Sequence, residues 1–360
     1  MSIKHSISLL YFLISIVVCH AQYYLAYYDG PYIFEDKDSV SVKWIEGGEL
    51  IDTTFKYDGE FPDINIFQRN NIPIKDIYTK KIKPKHKAQY KKASKIAAIS
   101  DIHGQFQIMH RLFLANGIVD SQGNWAFGDG HLVITGDIFD RGPAVIDILW
   151  YLIRIEHQAE QAGGMVHVLL GNHEIMVLKS DLRYIHKKYR YTSAKLRTPY
   201  EKFFDDDTFL GRWVRSKPIY ISIDDISFVH GGISRAFFET GLPITNLNKY
   251  YYENVIKSSI RDIDTEYVPS FLYYENGPLW YRGYAYEDEI TEKQANFILK
   301  KLRKKHIVVG HTSMTNILSI FDNKIIFIDS SIKLGRGGEM LFFENDKFYT
   351  AGLDGVKQEL

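Results

Sequence analysis

Ile96-Ala97-Ala98-Ile99-Ser100-Asp101-Ile102-His103-Gly104 is a short apolar run that ends in two side chains able to hold a metal ion. The same arrangement returns along the chain. Leu132-Val133-Ile134 leads to Asp137 and on to Asp140-Arg141-Gly142, and the run from Val166 to Leu170 leads to Gly171-Asn172-His173-Glu174. Phe228-Val229 precedes His230-Gly231-Gly232, and Ile307-Val308-Val309 precedes Gly310-His311-Thr312. Continuous apolar runs of this length are expected of buried strands, and in open α/β sheets ligands bind beyond the strands' carboxyl ends. The pattern predicts an α/β fold in which five strands deliver polar side chains to one edge. A lone Gly-Asp or His-Gly is ordinary turn chemistry, but five in order, each at a strand end, mark a site.

Helical spacing fills the gaps. Val145, Ile148, Leu149 and Leu152 follow Pro143, which suits a first turn, and Gly163-Gly164 closes the segment. Thr291 with Gln294 three residues on is a capping-box signature, and the basic stretch Lys300 to Lys305 suits a helix carboxyl end. Residues 180–225 break this rhythm with Arg183, His186, Lys188, Arg190, Arg197 and Asp205-Asp206-Asp207. Lying between the third and fourth motifs, they are either an exposed helical insertion or a cap over the site.

Lys+Arg and Asp+Glu each number 44 in 360 residues, so no global field draws the protein to nucleic acid or to an anionic membrane. No nucleic-acid partner is expected. Residues 1–21 read as an export signal, with Lys4 and His5, the apolar run Ile7 to Val18, and Cys19-His20-Ala21 before the cut. The run is well short of the ~20 residues of a spanning helix, so no stable membrane anchor is expected. Cleavage after Ala21 places the mature protein in the periplasm or outside the cell. It also removes Cys19, the one cysteine, and with it any thiol nucleophile. Residues 22–92 comprise a small β-rich lead-in, as in Val40-Ser41-Val42-Lys43-Trp44, and a lysine-dense stretch from Lys75 to Lys95 read as a solvated linker. Residues 93–360 form the domain that carries the motifs. Lys357-Gln358-Glu359-Leu360 resembles an endoplasmic-reticulum retrieval tail but reads better as an ordinary polar terminus.

Aspartate, histidine and asparagine together suit manganese, iron or zinc, because all-oxygen sites favour magnesium or calcium and thiolate sites favour zinc or copper(I). Two such ions ~3.5–4 Å apart lower the pKa of a shared water and clamp the attacking and leaving oxygens of an in-line displacement.

In these residues the chain resembles the calcineurin-like metallophosphoesterase superfamily, in its phosphoprotein phosphatase branch, and within that the Shewanella-like phosphatases. The resemblance covers roughly residues 95–335 and implies a β-sandwich flanked by helices, four layers in the order α/β/β/α. It implies that Asp101 and His103 hold a first metal, that Asp137 bridges both, that Asn172 with His230 holds the second, and that His311 also joins the metal site. By the same resemblance Arg141 and Asn172 meet the substrate phosphate, while His173, oriented by Asp140, protonates the leaving oxygen. The alternative for His173 is a support for Asn172. Gly277-Pro278-Leu279-Trp280-Tyr281-Arg282-Gly283 looks like the Shewanella-like group, where serine/threonine phosphatases have Leu-Trp-Ser-Asp-Pro. Arg282 then becomes a second guanidinium for the phosphate, or else a surface arginine beside a core tryptophan. Ser100 departs from the usual glycine.

The expected function is an exported two-metal phosphomonoesterase that hydrolyses its ester directly with a metal-bridging hydroxide. Its substrate is a phosphorylated protein or a small phosphomonoester, with phosphotyrosine or aryl phosphate favoured. A dinucleoside polyphosphate hydrolase shares the first four motifs, and a metal- or phosphate-binding module without turnover is the non-enzymatic alternative.

Overall fold

Each apolar run of the motif-bearing domain is a strand. The computed structural model describes residues 27–360 apart from 80, 92 and 287–289, so the expected export signal, with Cys19, lies outside the described residues. In the lead-in, β1 (Tyr28–Glu35), β2 (Ser39–Glu46) and β3 (Glu49–Lys56) form an antiparallel sheet. The remaining strands are β4 (Gln89–Tyr90), β5 (Ile96–Ile99), β6 (His131–Ile134), β7 (Met165–Val168), β8 (Tyr220–Ile223), β9 (Ile226–Val229), β10 (His306–Val309), β11 (Leu318–Ile320), β12 (Ile325–Phe327), β13 (Met340–Glu344), β14 (Lys347–Ala351) and β15 (Lys357–Glu359). They build two six-stranded sheets in the orders β15-β14-β13-β5-β6-β7 and β11-β12-β10-β9-β8-β4.

Alternation inside the buried runs creates the layers, because successive side chains of a strand point to opposite faces. Ile96 and Ala98 of β5, Val133 of β6, Phe228 of β9, Val308 of β10 and Ile326 of β12 share one buried cluster, where sheet meets sheet. Their neighbours Ala97, Ile99, Leu132, Val229, Ile307 and Val309 join a second cluster with helical residues such as Ile148, Leu152 and Ile298. The four-layer α/β/β/α arrangement is therefore present. The five motif-bearing strands do not share one sheet: β5, β6 and β7 lie in the first, β9 and β10 in the second. An apolar run marks a buried strand and says nothing of its pairing.

Helices α1 (Phe106–Ala115), α2 (Val145–Gln161), α3 (Asn172–Leu178), α4 (Lys187–Leu196), α5 (Phe209–Arg215) and α6 (Glu292–Leu302) cover the sheets and their edges. The helix expected behind Pro143 is α2. In α6, Thr291 and Gln294 form the expected reciprocal cap, and Arg303 ends the helix in a left-handed conformation, before the basic stretch is complete.

Three segments depart from their simple reading. Lys75 to Lys95 is not solvated throughout: Gln89–Tyr90 pairs with β8, and Lys85 Nζ lies 2.5 Å from the buried carboxylate of Glu156. A lysine-dense stretch meets water unless a buried acid faces it, and Glu156 does. Much of residues 180–225 packs on the lead-in, where Lys188 Nζ is 2.9 Å from Asp29 and Arg212 pairs with Glu35. Residues 244–276 form a further helical insertion after β9, tied to the core by Lys179, whose ammonium donates to the carbonyls of Ile256 and Ser258. Among the described residues no helix is long and apolar enough to cross a membrane.

Candidate active site

At the carboxyl ends of the motif-bearing strands the chain turns through backbone conformations that only local packing can hold. Asp101 (φ 52°), His103 (45°), Asp137 (56°), Asp140 (69°), Arg141 (64°) and His311 (63°) are all left-handed. For non-glycine residues this costs about 1–3 kcal/mol each and persists where the surroundings over-determine it. Glu174 supplies much of that constraint. Its buried carboxylate accepts N–H bonds from Gly171 (2.6 Å), Asp137 (2.9 Å), Ile138 (2.7 Å) and Phe139 (3.1 Å), locking the second motif onto the third. Gly171 must lack a side chain there, since a Cβ would lie 2.2 Å from Asp137 Oδ1.

Around Asp137 the imidazoles are arranged alike. His103 Nδ1 donates to the Phe139 carbonyl (2.7 Å), His230 Nδ1 to Thr135 (2.9 Å) and His311 Nε2 to Trp280 (3.1 Å). A ring N–H fixed on a carbonyl leaves the other nitrogen as a ligand, the usual support of a metal-binding histidine. Asp137 Oδ2 lies 3.5 Å from His103 Nε2 and 3.3 Å from His230 Nε2, and His230 Nε2 is 2.9 Å from Asn172 Oδ1. Two donor clusters result, His103-Asp137-His173 and Asp137-His230-His311, each close enough for one ion, and Asp137 belongs to both.

Electrostatics point the same way. Burial pushes the Asp101 carboxyl up to about 8, with the buried Asp329 carboxylate adding to it, a cost that a bound cation relieves. Burial holds His103 down at about 3 and His311 at about 2, so both stay neutral and available as ligands. For His230 burial is outweighed by Asp137 and Asp101, which hold it up at about 9, its proton standing where a cation belongs. Carboxylates, neutral imidazoles and an amide oxygen thus fit a pair of divalent ions.

His173 differs from the other imidazoles. Its Nδ1 is 2.6 Å from Asp140 Oδ2, while Nε2 faces Arg141 Nη2 at 3.3 Å and Asp137 Oδ2 at 3.9 Å. Burial disfavours its charge, but Asp137 and Asp140 outweigh that and raise its pKa. Arg282 reaches the same edge from the far side, donating Nη1 to the His311 carbonyl at 2.8 Å. All ten residues singled out in the sequence therefore converge on one edge of the sandwich.

Other side chains there were not marked as functional by the motifs. Ser100 donates its hydroxyl to Asp101 Oδ2 and accepts one from Thr135 (2.7 Å), while His311 N also donates to Oδ2 (2.9 Å). The departure from glycine thus adds a hydrogen bond to a metal-competent carboxylate. Asp329 closes the apolar run Ile325 to Ile328, the same signal that selects Asp101 and Asp137. Tyr184, from the 180–225 segment, places its ring 5.3 Å from His173 and 5.2 Å from the Arg141 guanidinium. Nothing in its local sequence distinguishes it from other surface tyrosines.

The calcineurin-like phosphoesterase family matches residues 94–314. An uncharacterized protein of Schizosaccharomyces pombe is 31% identical over 70% of this chain and 77% of its own length. Shewanella-like protein phosphatase 2 of Arabidopsis thaliana is 26% identical over 69% and 73%. The crystal structure of a cold-active protein-tyrosine phosphatase from a psychrophilic Shewanella species is similar at a TM-score of 0.83 and 38% identity, covering 93% of this chain and 99% of that one.

Proposed function

Since the chain belongs to the calcineurin-like phosphoesterase family and is a metal-dependent phosphoric monoester hydrolase, we propose that it is an exported protein phosphatase that uses two metal ions and favours phosphotyrosine and other aryl phosphates. The observation that carries the two-metal reading is the membership of Asp137 in both donor clusters. Asp101 and His103 would hold one ion, Asn172, His230 and His311 the other, and Asp137, a member of both donor clusters, would serve both. His173 is left out of the metal shell, although its ring falls within the first cluster, because Asp140 occupies Nδ1 and favours the protonated ring. When bound, the two ions supply an activated water near neutral pH and neutralise phosphate charge.

The chain's own residues do the rest. Arg141 and Arg282 grip phosphate oxygens with guanidinium forks, and Asn172 orients the phosphate beside them. As the ester P–O bond breaks and the water oxygen forms the new one, His173 Nε2 gives its proton to the departing oxygen. Asp140 keeps the ring in place. The aryl preference is supported by the name of the 38%-identical Shewanella enzyme, a protein-tyrosine phosphatase, and by aromatic Tyr184 beside Arg141 and Trp280 beside His311.

The test uses protein recovered from the exported fraction, whose intact mass should begin at Gln22. Loaded with manganese, it is expected to release phosphate fastest from a phosphotyrosine peptide, more slowly from a phosphoserine peptide, and least from a dinucleoside polyphosphate. Fastest hydrolysis of the dinucleotide would favour the polyphosphate reading instead, and no turnover of any substrate would leave a binding module.

A further inference from the structure

We propose that Tyr184 selects the substrate's leaving group: its ring is the platform on which the aryl group of an aryl phosphate stacks as the ester bond breaks. The inference rests on the phosphatase reading above and deepens it by naming the residue that distinguishes aryl from alkyl esters.

His173 Nδ1 is taken by Asp140 and Nε2 faces the Arg141 guanidinium at 3.3 Å, so the phosphate gripped by Arg141 and its leaving group lie past that edge of the ring. Tyr184 lies beside the same imidazole, its ring centroid 5.3 Å from that of His173 and tilted by 52°. The ring is anchored. Tyr184's carbonyl accepts the Arg141 N–H at 2.9 Å, the Arg141 guanidinium lies 5.2 Å from the ring and that of Arg183 5.5 Å, and Arg183 is itself held by Asp181 at 2.7 Å. Yet 44% of Tyr184 remains exposed, so the residue beside His173 keeps surface for a ligand to cover.

Aromatic pairs prefer offset or edge-to-face contacts with centroids about 4.5–7 Å apart, and they gain beyond simple area burial. A phenyl ring, one oxygen away from the phosphorus, offers an aromatic face for such a contact. A seryl leaving group carries only a methylene there and cannot use it. Tyr184 is therefore a specificity residue, distinct from the groups that bind phosphate or move the proton.

The experiment compares kcat/KM for a phosphotyrosine and a phosphoserine peptide of identical flanking sequence in wild type, Tyr184→Phe and Tyr184→Leu. The tyrosine-over-serine ratio should fall about tenfold in Tyr184→Leu and be retained in Tyr184→Phe, which keeps the ring. An equal loss on both peptides in Tyr184→Leu would make the tyrosine a prop for Arg141 and overturn the assignment, as would an unchanged ratio. Wild-type protein inactive on both peptides would instead overturn the phosphatase reading, and this inference with it.

Discussion

His173 and Asp140 pair at the reacting edge, and their contact decides what the imidazole can do. With Nδ1 held at 2.6 Å by the carboxylate, the ring is biased towards its protonated form and aims Nε2 at the substrate side. His173→Ala should therefore lower kcat by about 10²–10⁴ for poor leaving groups such as alkyl phosphates, and far less for nitrophenyl esters, whose departing oxygen needs little protonation. A leaving-group series on wild type and variant, with bound metal measured in both, reads this directly. A uniform loss accompanied by lost metal would show that His173 supports the metal shell instead. At this scale much was legible in the sequence, because Asp, His and Asn at the ends of apolar runs are short-range signals. Glu174 stood inside its motif without a role, since its work is to collect backbone N–H groups from a loop some 35 residues away, which no local pattern records. Tyr184 was illegible for the same reason: its meaning lies in which imidazole it faces.

Elements followed the sequence where a period defines them. The apolar run at Ile96–Ile99 is a strand of the same bounds, and the 3.6-residue spacing behind Pro143 is α2. Where long-range pairing decides, the pattern was silent. The division of the strands between two sheets and the helical insertion of residues 244–276 both depend on such pairing. So does Lys85, which leaves the expected linker to meet Glu156 on α2. That carboxylate also accepts from Lys217 Nζ (2.9 Å) and Trp213 Nε1 (2.9 Å), joining linker, helix and the approach to β8. Burial alone would raise the Glu156 carboxyl, but Lys217 and Lys85 outweigh it and hold it down at about 2, against 4.5 ordinarily. A depressed carboxylate stabilises the fold above its unfolded pKa, and that contribution is lost as pH falls from about 4.5 towards 2. Glu156→Gln should thus cost about 3–5 kcal/mol at pH 7, by leaving two ammonium groups without their partner, and the difference from wild type should narrow below about pH 4.5. Urea unfolding of the metal-free proteins across pH 7 to 3 measures it. A constant difference over that range would mean that the ion cluster is not its source.

For the whole molecule, two sheets packed face to face bring their carboxyl ends to one edge, so that motifs spread from Asp101 to His311 become one donor set around Asp137. The resemblance to the Shewanella-like phosphatases implied that architecture, and the alternation within β5, β6, β9 and β10 shows its physical basis. Two ions, shared through Asp137, are proposed to make this edge a phosphatase, and that proposal can be put to one measurement. It is tested most directly by titrating metal-stripped protein with manganese while following phosphate release from a phosphotyrosine peptide, for wild type and Asp137→Asn. Expected are no turnover without metal, full activity of wild type only with two ions bound per chain, and loss of both metal binding and nearly all activity in the variant. Full activity of stripped protein, saturation at a single ion, or an Asp137→Asn variant with two tightly bound ions and normal turnover would contradict it.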